Sequence, residues 1–166
     1  KYYEYTFRDV DFPRPLKWIW RTQCTPKIKV FAWLMGVDRL NTRNMLRRRN
    51  FNVQPNHNCV LCRRNTEETR CHLNACWGKL HIQWLPSLSF FDMIMVARSN
   101  FQGPKFTEVI LIAAWALWRV RNAKIFDGIN PTFSAWWHLF REDLTLHTNR
   151  FSQQDRHETM NWLSTL

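Results

Sequence analysis

The sequence predicts an all-α fold, a compact multi-helix domain with a small CCHC insert whose cysteine and histidine spacing is typical of a zinc knuckle. Three observations support this prediction. Glycine is scarce at 4 residues and proline is modest at 7, which argues against a turn-rich β-sandwich or β-barrel. Apolar residues recur at helical spacing in several segments, and capping residues precede some of them. The length of 166 residues corresponds to about one ordinary domain.

The chain is predicted to begin with an extended segment over residues 1–15, where aromatic and polar side chains alternate before two prolines. A short helical turn is predicted over residues 16–21. Thr25-Pro26 then begins a helix, because an N-cap hydroxyl is followed by a proline that needs no N–H. The apolar stripe of this helix is predicted to consist of Val30, Trp33, Leu34, Val37 and Leu40.

The next helix is predicted to be short, capped by Asn41-Thr42 and running through Arg49 with Met45 and Leu46 inward. Further helices are predicted at 87–97, at 106–126 and after Asn130-Pro131, and Asp127-Gly128 is predicted to end the second of them. The inward face of the second of these consists of Phe106, Val109, Ile110, Ala113, Ala116, Leu117 and Val120. The last helix has a stripe at near-heptad spacing, made of Trp136, Phe140, Leu144, His147 and Phe151.

About six helices are therefore expected. The chain is expected to consist of the extended segment 1–15, a zinc-binding domain at 16–85, and a C-terminal helical part at 86–166 packed on it.

Five cysteines are present, and four of them lie between residues 59 and 76. Cys59 and Cys62 have the C-x2-C spacing of a metal-binding turn, and His72 and Cys76 share one face of a helix. The predicted zinc ligands are therefore Cys59, Cys62, His72 and Cys76, a closed structural site with no open position for catalysis. The alternatives are thiols that merely line a small core, and Cys71 in place of His72. The isolated Cys24 is predicted to be a buried apolar residue.

The chain carries 24 Lys and Arg against 13 Asp and Glu, a net charge of +11. Residues 39–79 contain nine basic and two acidic residues, so this segment holds +7 of that charge. Arginine suits phosphate because its planar fork donates two parallel hydrogen bonds. The predicted nucleic-acid-binding residues are Arg39, Arg43, Arg47, Arg48, Arg49, Arg63 and Arg64. The alternative is a solvated basic face that only keeps the protein soluble.

A second basic group, Arg119, Arg121 and Lys124, is interleaved with Trp118 and Phe126. Nucleobases are able to stack on such aromatic rings, but the helical spacing favours a core role for both rings. Of Trp136 and Trp137, one is predicted to pack inward and the other to be half exposed.

The sequence argues against an enzyme, because it has no glycine-rich phosphate loop and no nucleophile motif. No secretory signal is visible, and the longest apolar run, 109–118, is too short to span a bilayer. Clustered thiols of this kind are expected in a reducing intracellular compartment, the nucleus or the cytoplasm.

Several segments in order resemble one known family. They are Ile19-Trp20, the run from Pro26 to Leu34, the run from Asp38 to Thr42, and the cysteine–histidine cluster with Glu68-Thr69. Downstream, residues 114–126 contain Trp-x-x-Trp followed by Arg-Asn and Phe. Over residues 16–128 the chain resembles the zinc-binding domain that follows the reverse transcriptase of plant LINE-type (non-LTR) retrotransposons.

The resemblance implies zinc bound by the same four residues and a role in holding nucleic acid, RNA or single strands, during reverse transcription. Asn74-Ala75 departs from the family's usual aromatic or aliphatic residues before the last cysteine. The alternative is a domesticated copy that uses its Trp-rich helices, including the stripe from Trp136 to Phe151 and Trp162, to bind another protein or itself. The choice between an element's role and a host's role stays open.

Overall fold

The computed structural model of the chain describes residues 13–51, 59–61, 74–85 and 87–166, except for the side chains of residues 74 and 75. Within these ranges the chain forms eight helices and no strand, which confirms the all-α prediction. The helices are α1 (Arg14–Arg21), α2 (Pro26–Gly36), α3 (Arg43–Arg48), α4 (Asn74–Lys79), α5 (Phe90–Asn100), α6 (Phe106–Asp127), α7 (Phe133–Thr148) and α8 (Gln153–Thr165). Most of residues 1–15 and of the predicted knuckle lie outside the described ranges.

Helix α6 is the centre of the fold, and both α2 and α7 pack against it. The inward face expected from the sequence is buried, but so are Leu111, Ile112 and Ala114 on its other sides. A helix that is buried on most of its surface reads as apolar nearly all round. Gly128 ends α6 in the left-handed conformation with φ 70°, as the sequence indicated.

The predicted apolar stripe of α2 is wrong at Val30 and Leu34, whereas Trp33, Val37 and Leu40 pack against the core and are partly buried. The side chains that reach the core are Ile28, Phe31, Ala32 and Met35, whereas Val30 is 50% exposed and Leu34 is 36% exposed. Both faces of this helix carry apolar residues, so periodicity alone does not distinguish them. The inward face is selected by packing, because Phe31 meets the rings of Trp115 and Trp118 on α6 at centroid distances of 5.2 and 6.0 Å.

The predicted stripe of α7 is confirmed as core over Trp136, Phe140, Leu144 and His147. The indole Nε1 of Trp136 donates to the carbonyl oxygen of Ala113 on α6 at 3.0 Å. Trp137 is half-buried, as expected. Two details differ: α7 is capped by Thr132 rather than by Asn130, and it ends at Thr148, before Phe151.

None of the helices in the described ranges combines the length and the apolar character that crossing a membrane requires.

Candidate metal centre and basic face

Two of the four predicted zinc ligands are described, and both are buried. Cys59 is 6% exposed and Cys76, on α4, is 8% exposed. The backbone N–H of Leu61 donates to Cys59 Sγ at 3.4 Å. A donor two residues along the chain is what a cysteine turn offers to a metal-bound thiolate, because it stabilises negative charge on the sulfur.

The surroundings of Cys76 are apolar. Burial raises the pKa of its thiol to about 12, so the thiol stays protonated near neutral pH unless a cation compensates for the lost solvation. Two buried thiols within one short segment fit the thiolate-rich donor set that zinc prefers.

The other predicted ligands, Cys62 and His72, lie outside the described residues, as does the alternative Cys71. Within the described ranges no group of three or more potential ligands comes together. The full ligand set therefore remains a prediction. His81 is described, and it is exposed just beyond α4 in the left-handed region, with φ 53°.

Helix α3 carries three of the seven arginines predicted to bind nucleic acid, and its start is capped as expected. The Oγ1 atom of Thr42 accepts a hydrogen bond from the N–H of Met45 at 3.2 Å. Met45 is buried, while Leu46 is only partly buried.

The ends of α2 and α3 are fixed by the same kind of motif. Asp38 and Asn50 adopt left-handed conformations with φ of 55° and 56°. The N–H of the residue after each donates back to the helix, from Arg39 to the Leu34 carbonyl at 2.7 Å and from Phe51 to the Leu46 carbonyl at 3.1 Å. These are Schellman caps, in which Asp and Asn replace the more common glycine.

Five arginines therefore lie on one short stretch of chain, which we call the basic face: Arg39, Arg43, Arg47, Arg48 and Arg49. All are exposed except Arg43, which is partly buried. Arg48 Nη2 pairs with Asp38 Oδ2 at 2.5 Å, so one of the five charges already has an acidic partner. Arg63 and Arg64 lie outside the described residues.

The second basic group has structural partners. Arg121 is buried, and its Nη2 donates to the carbonyl oxygen of Asn41 at 3.1 Å while its guanidinium lies 4.6 Å from the Trp118 ring centroid. Arg119 Nη1 pairs with Asp143 Oδ2 at 3.1 Å. Lys124 donates to Asn130 Oδ1 at 2.7 Å.

The prediction that Phe126 belongs to the core is wrong, because this side chain is 77% exposed. The role of Arg121 as an anchor was not recognised from the sequence. The signal was present: Arg121 follows Leu117 by one helical turn and so falls on the buried face of α6.

Residues 1–77 match the family described as zinc-binding in reverse transcriptase. Over this segment the chain is similar to that family. Comparisons with curated proteins and with solved structures gave no match.

The match confirms the resemblance seen in the sequence, and it implies zinc binding. The reverse-transcriptase zinc-binding segment thus includes α1, α2, α3, the cysteine–histidine cluster and the first residues of α4. It ends at Trp77, so it does not extend to the resemblance expected at residues 114–126. Helix α6 nevertheless supports the segment, because Arg121 holds the chain at Asn41.

Proposed function

We propose that this protein is a non-catalytic, zinc-stabilised module of retrotransposon origin that binds RNA or single-stranded nucleic acid through the basic face. The observation that carries the proposal is the exposure of Arg39, Arg47, Arg48 and Arg49 on a stretch whose backbone is fixed at both ends. A backbone that is already fixed loses less conformational freedom when its arginines contact phosphate. A zinc site of thiolates would operate in a reducing compartment, the nucleus or the cytoplasm.

When bound, zinc supplies a cross-link between the cysteine turn and α4. Cys59 and Cys76 would hold it, together with Cys62 and His72 from the predicted set. The chain's own arginines then make the contacts to nucleic acid. Arginine contacts to backbone phosphates carry no sequence information, so we expect little sequence preference.

The ion pair between Arg48 and Asp38 gives the basic face an internal competitor. The carboxylate occupies the Nη2 donor of Arg48 and offsets its charge, so phosphate binds Arg48 more weakly while this pair is formed. Arg39 and Arg49, both exposed, are therefore expected to provide the main contacts. Asp38→Asn removes the competing charge and tolerates the left-handed backbone, since asparagine adopts that conformation readily.

The experiment is fluorescence anisotropy of a labelled oligouridylate RNA over a range of salt concentrations. For single strands, the slope of log K against log salt is about −0.7 per phosphate contact. The triple variant Arg39→Gln, Arg47→Gln, Arg49→Gln should lower affinity and flatten this slope by about 2. Asp38→Asn should raise affinity.

The control is Arg14→Gln, Arg141→Gln, Arg156→Gln, which makes the same change in net charge at three other exposed sites. It should keep most of the wild-type slope. Absence of binding at low salt, or equal slopes for the two triple variants, would show that the basic face is only a solvated surface.

A second candidate function is a protein–protein interaction module. The stripe from Trp136 to His147 does not serve this purpose, because it is buried in the core. A different surface favours it: Ile125, Phe126, Ile129 and Phe133 are all exposed around the connection from α6 to α7. Contiguous exposed apolar side chains of this kind are typical of interaction sites.

Light scattering after nuclease treatment distinguishes the two functions. Oligomers that persist at high salt and disappear in Phe126→Ser, Phe133→Ser favour the interaction module. A monomer whose size changes only when RNA is added favours the nucleic-acid function.

A further inference from the structure

A cleft of about 520 Å³ lies where the start of α2, the middle of α6 and the end of α7 meet. Ligand sites for small molecules span roughly 300–1,000 Å³, so this volume suits one nucleotide. Three cationic residues from three separate parts of the fold line it: Lys27, Arg119 and Arg150. None of them belongs to the basic face.

The cleft retains a positive charge after its internal pairing is counted. Asp143 is its one acidic residue, and this carboxylate pairs with Arg119 at 3.1 Å. Lys27 Nζ lies 4.9 Å from the Trp115 ring centroid. Within the described part of the chain neither Lys27 nor Arg150 forms an ion pair, and both residues are exposed to an incoming anion.

The wall of the cleft beside these cations is rigid and uncharged. His147 is buried, its Nε2 accepts from the N–H of Thr25 at 3.4 Å, and its Nδ1 lies 2.6 Å from the carbonyl oxygen of Asp143. A carbonyl only accepts, so Nδ1 carries the proton and the imidazole is neutral in this arrangement. The imidazole therefore positions the start of α2 and adds no charge of its own.

The first turn of α2 adds to the attraction for anions. It contains no acidic residue, and the side chain of Thr25 makes no capping hydrogen bond. Backbone N–H groups at a helix start favour a negative group nearby. The three converging cations and the volume of the cleft nevertheless favour an anionic ligand more strongly than this helix start does.

We propose that this cleft binds a phosphate group carried on a nucleotide, with Lys27 and Arg150 as the principal phosphate contacts. Arg119, held by Asp143, flanks them, and the partly exposed Trp115 ring offers a flat apolar surface for the rest of the ligand. The ligand is either a free nucleotide or the phosphorylated end of a strand. The site goes beyond the proposed function, since it shares no residue with the basic face.

The experiment is an NMR titration of the ¹⁵N-labelled full chain with adenosine 5′-monophosphate, inorganic phosphate and adenosine. The monophosphate should shift the amide signals of Thr25, Lys27, Ile28 and Arg150 in a saturable manner. Inorganic phosphate should shift the same signals more weakly, and adenosine should leave them nearly unchanged. An oligonucleotide with a 5′-phosphate, compared with the same strand bearing a 5′-hydroxyl, distinguishes a strand end from a free nucleotide.

The test variant is Lys27→Gln, Arg150→Gln. Both side chains are exposed, so the fold is retained, which far-UV circular dichroism verifies. Loss of two charge-assisted contacts should weaken binding of the monophosphate by about tenfold or more. The control Arg14→Gln, Arg156→Gln changes the net charge equally and should stay within about twofold of wild type.

The basic-face triple variant should bind the monophosphate as wild type does, even if RNA binding is lost. That result separates failure of this site from failure of the nucleic-acid function. Shifts confined to other amides, equal binding of adenosine, unchanged affinity in Lys27→Gln, Arg150→Gln, or no saturable binding at millimolar ligand would each overturn the proposal.

Discussion

Arg121 Nη2 lies 3.1 Å from the carbonyl oxygen of Asn41, although 80 positions separate the two residues in the sequence. Asn41 immediately precedes the cap of α3, and Arg121 is buried in the central helix α6. The position of the basic face thus depends on a helix outside the family-matched segment. A positively charged side chain is used here as a structural link rather than as a contact for nucleic acid.

Replacing Arg121 should therefore destabilise the protein and weaken RNA binding together. Arg121→Met removes the hydrogen bond to Asn41 and the contact of the guanidinium with Trp118, and we expect a loss of about 2–3 kcal/mol in the free energy of unfolding. Urea denaturation followed by circular dichroism measures this change. Arg121→Lys keeps the charge without the planar fork, and it should recover only part of the stability. Equal stability of all three proteins would mean that the link contributes nothing.

Zinc content should depend on two of the three described cysteines. Cys59→Ser and Cys76→Ser each remove a predicted thiolate ligand, and we expect zinc affinity to fall by at least about a hundredfold. Cys24→Ala is the matched control, because this cysteine is equally buried but lies far from the cluster in sequence. Elemental analysis and competition with a chromophoric chelator give the measurement. Retention of zinc by both serine variants would exclude the predicted ligand set.

The left-handed backbone at Asn50 should reverse the usual preference for alanine over glycine. Asn50→Ala must place a Cβ at φ 56°, which costs about 1–2 kcal/mol, whereas Asn50→Gly should be close to neutral. Asn149 ends α7 with φ −65° and serves as the control, where alanine should be at least as stable as glycine. Thermal unfolding of the four variants gives the order of stability of alanine and glycine at each site. The same order at both sites would contradict the assignment of Asn50 as a left-handed helix cap.

Cys24 should make the protein less stable at alkaline pH. Burial, with the negative charge of Glu108, raises the pKa of this thiol from 9.0 to about 12. The unfolded chain releases the thiol proton above pH 9 while the folded chain retains it, so stability present below pH 9 is lost as the pH rises toward 12. One proton corresponds to at most about 1.4 kcal/mol per pH unit.

The comparison with Cys24→Ala isolates this contribution from that of the lysines and the other thiols. Free energies of unfolding measured from pH 7 to pH 11 should converge between the two proteins above pH 9. Parallel curves would show that the pKa of the Cys24 thiol is the same in the folded and the unfolded chain.

The outward face of α2 illustrates where prediction from sequence ends. The sequence locates the start of the helix at Pro26, because a proline at the first turn acts locally. It does not select between two apolar faces, and Phe31 is inward because Trp115 and Trp118 lie opposite it. The same reasoning applies to Phe126, which has helical spacing with the core but lies exposed at the end of α6.

The sequence by itself determined the helical class, the cap of α3, the end of α6 at Gly128 and the resemblance to the zinc-binding family. These features depend on residues close together in the chain, whose propensities and spacing act before any long-range contact forms. Only the tertiary structure decided that Arg121 supports α3, that Asp38 competes for Arg48, and that Lys27, Arg119 and Arg150 share one cleft. Each of these relationships joins residues through packing of separate elements, and spacing along the chain contains no information about which elements will meet.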